Sequence, residues 1–236
     1  MESSLVAILS LGFLLGLKHA TDADHVVAVT TFVSREGSLL RSCWIGVCWG
    51  IGHTLSLALA GSLVILLKIN VSDRLSGWLE LGVAVMLVAL GARVLFHLWK
   101  ERLHLHRHPH THVAGKAPHV HWHLHASGRL DEHAGWLHFG LRPLVVGMVH
   151  GAAGTGALML LVLSTISSPP QALLYIVIFG IGSVAGMLIV SFLLAIPLQW
   201  AARNVSSGYR IVQAAAGAFS FGFGIYLGID LLQKLS

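Results

Sequence analysis

The sequence is poor in charge and in cysteine. Only 11% of its 236 residues are charged, whereas about 25% is usual for a soluble globular chain. Long segments carry no charge at all, which excludes an ordinary cytosolic domain. The two cysteines, Cys43 and Cys48, stand five positions apart on one predicted helix, so a disulfide framework is excluded as well. No ATP-binding loop of the GxxxxGK[ST] type occurs, and no HExxH zinc-enzyme motif lies in the apolar segments.

Apolar residues, in contrast, make up 55% of the chain. Runs such as 144–166 and 172–198 exceed the roughly 20 residues that cross a hydrocarbon layer of about 30 Å. The sequence therefore predicts an all-α polytopic membrane protein, and its surplus of basic residues fits membrane topology better than nucleic-acid binding. Six transmembrane helices are predicted, at about 5–33, 43–67, 77–99, 141–166, 171–198 and 209–232.

Lysine and arginine are distributed unequally between the two sides of the predicted membrane. One side has Arg35, Arg41, Lys100, Arg102, Arg107, Lys116, Arg129, Arg142, Arg203 and Arg210, and the other has Lys68, Arg74 and Lys234. Because basic loops stay in the cytoplasm, we expect a plasma (inner) membrane protein with a cytoplasmic central loop and both termini outside. The predicted organisation is a three-helix unit over 1–99, a loop over 100–140 and a second three-helix unit over 141–236.

The two predicted units resemble each other weakly. His19 begins the small-residue segment HATDADH, and the triplet Gly-Ile-Gly follows at 50–52; His150 begins HGAAGTG, and the same triplet follows at 180–182. Since each unit has three spans, the second would cross the membrane in the opposite sense to the first. Inverted repeats of this kind are typical of transporters, with the substrate site near the midplane.

The segment Lys18–His25 concentrates ionisable side chains inside the first span. Burying charge in lipid costs at least a few kcal/mol, so such a cluster indicates a function that requires polar side chains inside the membrane. On a continuous helix His19, Asp22 and His25 share one face; if the helix is interrupted here, as we predict, Asp24 joins them. Imidazole and carboxylate ligands suit nickel, cobalt or zinc. The alternative is a buried ion-pair network that only locks helices together.

The histidines outside this segment fall into two groups. His53 and His150 lie midway along other spans, each near a threonine (Thr54 and Thr155), and together with His19 and His25 they predict a shared metal site. The remaining histidines lie between His97 and His138, where alternating tracts are typical of a metal buffer, or of a dispensable disordered linker. The candidate buffer residues are His104, His106, His108, His110, His112, His119, His121, His123 and His125.

These motifs resemble those of the nickel/cobalt transporter family, in which a histidine is followed by four residues and Asp-His. The matching positions are His19, Asp24 and His25, and the segment 49–54 is similar to the Gly-His-Ser/Thr element of that family's next span. The main branch has Asp-Thr-Ala-Thr-Glu where this chain has HGAAGT from His150. The six-span form and HGAAGTGAL resemble the short urease-accessory-type nickel permeases.

The resemblance implies a secondary transporter that carries Ni²⁺, or Co²⁺, inward through a midplane His/Asp site. Lys18 and the two threonines would line that site. The chain would be no enzyme, would hold no permanent cofactor, and would deliver its ion to a cytoplasmic acceptor or additional subunits. Because neutral imidazoles bind metal, proton coupling fits this chemistry. Efflux of nickel, cobalt or zinc is the alternative direction, and a membrane-embedded metalloenzyme is an alternative of another class.

Overall fold

The described residues of this computed structural model, 2–67, 72–102, 136–153, 166, 168–204 and 208–235, are helical apart from short turns. The predicted all-helical class is thereby confirmed. Their helices, numbered in chain order, are α1 (Glu2–His19), α2 (Ala23–Val33), α3 (Leu39–Leu67), α4 (Asp73–Arg102), α5 (Trp136–Ala153), α6 (Pro169–Asn204) and α7 (Gly208–Leu235).

Most of these helices are long and apolar enough to cross a membrane. Four qualify alone, and α1 with α2 forms a fifth candidate that bends by 55° between Val6–His19 and Ala23–Val33. Large apolar side chains such as Leu59, Phe96 and Phe219 are exposed on the outside of the bundle, as lipid-facing residues are. The protein is therefore an integral membrane protein. Helix α5 covers the beginning of the predicted span 141–166, and the continuation of that span after Ala153 lies outside the described residues.

The interruption between α1 and α2 falls inside the segment HATDADH. The amide of Asp22 donates to the carbonyl of His19 at 3.0 Å, and Asp22 itself is extended, with φ −63° and ψ 146°. The hydroxyl of Thr21 donates to the carbonyl of Lys18 at 2.6 Å. Short polar side chains of this kind compete with helical hydrogen bonding. The chain leaves α1 here and restarts as α2, which has Asp24 in its first turn, where a negative charge favours the helix dipole.

Glycines allow α1 and α6 to pack with their backbones in contact. A Cβ atom on Gly16 would collide with the carbonyl oxygen of Phe179, and one on Gly182 would collide with the carbonyl oxygen of Phe13. Close approach of this type substitutes for the missing hydrophobic drive between helices in lipid.

The packing of α5 on α3 repeats this arrangement with other residues. A Cβ atom on Gly147 would meet the carbonyl oxygen of Trp49, and one on Gly52 would meet that of Leu144. In the contact of α1 with α6, Gly16 of the first half meets a carbonyl of the second half. In the contact of α5 with α3, Gly147 of the second half meets a carbonyl of the first half. The two helix pairs are thus built alike.

Helices α4 and α7 form a second closely packed pair. The backbone of Gly91 lies against Gly217 and Phe221, and the hydroxyl of Ser220 donates to the carbonyl of Leu87 at 2.9 Å. Helix α2 joins this pair to the other helices, because its buried residues, Val27 among them, pack in one cluster with side chains of α3, α4 and α6. The interrupted segment is therefore held from several sides.

The α2–α3 turn is bonded to α7 and contains a half-buried carboxyl group, that of Glu36. Tyr209 donates its hydroxyl hydrogen to the carbonyl of Arg35 at 2.8 Å. Burial raises the pKa of the neighbouring Glu36 from 4.5 to about 7, although Arg41 and Arg35 oppose the shift. Ionising Glu36 therefore costs more in the folded protein than in the unfolded chain.

We expect the substitution Gly91→Ala to destabilise the fold by about 1–3 kcal/mol, because its Cβ atom would meet the backbone of α7. Gly82→Ala on the same helix is the matched control, since a Cβ atom there has no atom of the described residues within 4 Å. Thermal unfolding in detergent measures both. Equal melting temperatures for the two variants would contradict this packing.

We expect stability to fall as the pH rises through about 7, because the folded state binds the Glu36 proton more tightly than the unfolded state does. Below pH 4.5 Glu36 is protonated in both the folded and the unfolded state, so ionisation of its carboxyl group does not reduce the stability there. Glu36→Gln should therefore raise the melting temperature at pH 8 and leave it nearly unchanged at pH 4. A gain of the same size at both values would refute the assignment.

Candidate metal centre

Four histidines from four helices converge in the interior of the bundle. His19 ends α1, and His25, His53 and His150 belong to α2, α3 and α5. The last three are completely buried, and His19 is 9% exposed. Ring centroids are 4.5 Å apart for His19–His25, 5.1 Å for His25–His53, 5.2 Å for His19–His53 and 4.1 Å for His25–His150. Every histidine that the sequence predicts to lie at membrane depth belongs to this cluster.

Three of these residues form a candidate tridentate site, which we call the histidine trio: His19, His25 and His53. One ring nitrogen from each lies within 4.8 Å of the others. The Nε2 atoms of His19 and His25 and both ring nitrogens of His53 are buried and lack a hydrogen-bond partner among the described residues. Leaving a buried polar atom unbonded costs about 1–3 kcal/mol, so these nitrogens are candidate ligand atoms.

The two aspartates bind the opposite edges of these rings. Asp22 Oδ2 lies 2.8 Å from His19 Nδ1, and Asp24 Oδ1 lies 3.1 Å from His25 Nδ1. Because an ionised carboxylate only accepts, each imidazole donates its Nδ1–H and keeps an Nε2 lone pair for another partner. This is the way outer carboxylates orient metal-binding histidines. Here each aspartate is hydrogen-bonded to an imidazole and fixes the orientation of its ring.

Asp24 also reaches the fourth histidine. His150 Nε2 donates to Asp24 Oδ2 at 2.9 Å, so one carboxylate joins α2 to α5. Asp24, His25 and His150 themselves offer atoms within 4.8 Å of one another and form a second candidate group that shares His25 with the trio. If the hydrogen bond between His150 Nε2 and Asp24 Oδ2 is broken, both atoms become available to bind an ion.

Lys18 connects the cluster to the surface of the bundle. Its ammonium group lies 2.9 Å from Asp22 Oδ1, and its side chain is 63% exposed. Asp22 thus has an exposed cation on one oxygen and a buried imidazole on the other. This end of the cluster is its most accessible part among the described residues.

The other predicted site residues have different positions. Thr54 donates its hydroxyl hydrogen to the carbonyl of Gly180 at 3.3 Å, which ties α3 to α6. Thr155 and the candidate buffer histidines from His104 to His125 lie outside the described residues.

Two aromatic residues that the sequence analysis does not assign to the site pack on the cluster. The ring of Phe179 lies 5.7 Å from that of His19, and the ring of Trp49 lies 5.8 Å from that of His150. Each stands directly before a Gly-Ile-Gly triplet, so alignment of the two predicted repeats could have paired them. Both exclude water from one side of an imidazole.

The chemistry of the cluster restricts what it can bind. Neutral imidazoles with nearby carboxylates prefer borderline divalent transition metals, whereas Mg²⁺ and Ca²⁺ prefer sites made of oxygen. Fold and site together define a helical integral membrane protein with a buried histidine cluster that is a candidate cation site.

Comparison with known proteins identifies the family. The chain is 38% identical to the urease accessory protein UreH of Bacillus sp. (strain TB-90) over 230 residues, which cover 98% of this chain and 94% of that protein. No family model and no solved structure matches the chain. The chain belongs to the UreH family of urease accessory proteins, and the predicted resemblance to the urease-accessory branch is confirmed. The relative is an accessory protein of urease and not urease itself. This agrees with the expectation from the sequence that the chain is not an enzyme.

We expect Asp24→Asn to weaken the binding of a divalent transition-metal ion by about 10–100-fold, because it removes the negative charge and replaces one of the two oxygens that accept from imidazoles with an NH₂ group. Asp230→Asn is the control, since Asp230 pairs with Lys234 at 2.6 Å near the end of α7. Calorimetric titration with Ni²⁺ measures both, with the loop histidines replaced by serine in every variant. Equal affinities would contradict the orienting role.

Proposed function

We propose that this protein is a nickel permease: a secondary transporter that moves Ni²⁺ across the membrane through the histidine trio. The observation that carries the proposal is the set of unbonded, buried ring nitrogens on His19, His25 and His53, inside a bundle of membrane-spanning helices. The transported ion is the substrate, and no permanent cofactor is required. Co²⁺ has similar ligand preferences and is the second candidate substrate.

Family membership supports nickel as the ion. The relative is named a urease accessory protein, and the motifs around His19 and His150 resemble those of urease-accessory nickel permeases. In this proposal the protein supplies nickel for urease, through a cytoplasmic acceptor or additional subunits.

Binding and release follow from the chemistry of imidazole. Each ring must be neutral to bind, and the aspartates hold the rings so that their free nitrogens face one point. Protons compete with the ion for those nitrogens, so the affinity for the ion falls as the pH falls, which links transport to pH. The negative charges of Asp22 and Asp24 offset part of the charge of the ion in a site of low polarity.

The repeated packing supports an inverted-repeat architecture with units over 1–99 and 141–236. The contacts of Gly16 with Phe179 and of Gly147 with Trp49 are equivalent when the second half is shifted by about 130 residues onto the first. The aromatic contacts obey the same relation, because Phe179 covers His19 as Trp49 covers His150. In such folds the two units exchange access to a site between them.

We infer uptake as the direction of transport from the family resemblance, and the charge distribution gives the orientation of the chain in the membrane. Basic residues concentrate on the side of the loop 100–140, which we assign to the cytoplasm, with both termini outside. The loop histidines would then collect ions after they cross, which favours uptake. The loop is a buffer in this proposal and does not select the ion.

We expect His53→Ala to abolish uptake of radiolabelled Ni²⁺ into vesicles of defined orientation, because it removes one of the three candidate ligands of the trio. His97→Ala, which changes an exposed histidine on α4, is the matched control and should transport normally. Unchanged uptake by His53→Ala would rule out the trio as the transport site.

We expect a chain in which the loop histidines are replaced by serine to retain transport with a reduced capacity for bound nickel. The same vesicles measure both quantities, and inside-out vesicles test the direction. Complete loss of transport would contradict the buffer role of the loop.

A further inference from the structure

The hydroxyls of two buried serines on α6 have no hydrogen-bond partner among the described residues. The side chains of Ser183 and Ser191 are 0% exposed, and neither Oγ atom contacts a donor or acceptor in the described part of the chain. A serine in a helix can always bond to the carbonyl one turn earlier. Leaving the hydroxyl unbonded costs about 1–3 kcal/mol, so its orientation requires an explanation.

Other helical hydroxyls of this protein do use that carbonyl. Thr31 donates to the carbonyl of Val27 at 2.9 Å, and Ser42 donates to that of Ser38 at 3.1 Å. A different solution appears at Ser220, which is equally buried but donates across to the carbonyl of Leu87 on α4. The unbonded pair on α6 is therefore an exception to the pattern of this chain.

Ser183 lies at the level of the histidine cluster. It follows Phe179 by one helical turn, and Phe179 packs against His19. Its backbone amide is close to α1, since a Cβ atom on Gly16 would lie 2.8 Å from Ser183 N. The shift of about 130 residues that relates the two halves pairs Ser183 with His53.

Ser191 lies two turns further along the same face of α6. Eight residues of α-helix advance about 12 Å, and Met187, also completely buried, stands halfway between the serines. The Oγ atom of Ser191 faces α3, where a Cβ atom on Gly46 would collide with it. We call Ser183, Met187 and Ser191 the serine face of α6.

A third unbonded group belongs to the same region of α3. The indole Nε1–H of Trp49 is buried without a partner among the described residues, and Trp49 follows Gly46 by one turn. An indole N–H only donates, so it cannot hold a cation, but it can bond to water. Two hydroxyls and an indole N–H without partners indicate a region where water or a hydrated ion completes the hydrogen bonding.

We propose that the serine face of α6 lines the passage through which a divalent cation leaves the histidine trio towards the Arg203 end of α6. Hydroxyl oxygens replace water around a partly dehydrated ion, and the thioether of Met187 adds a soft surface between them. The weak ligands allow the ion to pass without being held. This inference rests on the proposed transport of Ni²⁺ and identifies where its path continues.

The first test is chemical access in the full chain. Ser183→Cys and Ser191→Cys are treated in vesicles with a small cationic methanethiosulfonate, and mass spectrometry quantifies modification at each position, so native Cys43 and Cys48 remain. Ser220→Cys is the control, because that serine is as buried but fully bonded. We expect both α6 thiols to react at least about tenfold faster than the control, with Ni²⁺ slowing the reaction at position 183. Rates equal to the control would overturn the passage.

The second test separates this inference from the proposed function. Ser191→Val should bind Ni²⁺ with unchanged affinity and lose most of its transport, because it narrows the passage and removes an oxygen from it without touching the trio. Unimpaired transport by Ser191→Val would overturn the passage and leave the trio intact. Failure of the unsubstituted chain to bind Ni²⁺ would instead reject the proposed function, whatever the labelling rates are.

Discussion

The structure depends on one bridging carboxylate. Asp24 accepts hydrogen bonds from His25 on its own helix and from His150 on α5, so its carboxylate joins these two helices. A charge in this position is costly in an apolar bundle unless it is bonded on both oxygens. The two imidazoles meet that requirement, and in return the carboxylate fixes which nitrogen of each ring stays free. The same interaction thus stabilises the interrupted segment and prepares the cluster for an ion.

The scaffold supplies what this interaction needs. Glycine contacts bring α1 against α6 and α3 against α5, so that residues on separate helices come within reach of one another. The break after His19 then turns α2 by 55°, which presents Asp24 and His25 on the side of the incoming helices. Without close packing the histidines would be too far apart, and without the break Asp24 would face away from them.

Much of this site could be predicted from the sequence, and the rest needed the tertiary structure. His19, His25, His53 and His150 were identifiable because an imidazole is conspicuous in an apolar span. The partners of the aspartates were not, since the contact of Asp24 with His150 joins two helices through residues that are 126 positions apart in the sequence. Phe179 and Ser183 do not stand out singly, because aromatic and hydroxyl side chains are ordinary in membrane helices, and only alignment of the two repeats pairs them with Trp49 and His53. Phe179 is assigned to the site because its ring packs on His19. Ser183 is assigned to the passage because its hydroxyl has no hydrogen-bond partner among the described residues.

The central claim is that three imidazoles hold the transported ion. X-ray absorption at the nickel edge, on the full chain loaded with one equivalent of Ni²⁺ and with its loop histidines replaced by serine, measures this directly. The account predicts a nitrogen and oxygen shell with the outer-shell scattering of about three imidazoles, reduced by one imidazole in His53→Ala. An all-oxygen shell, or an imidazole signal that His53→Ala leaves unchanged, would contradict it.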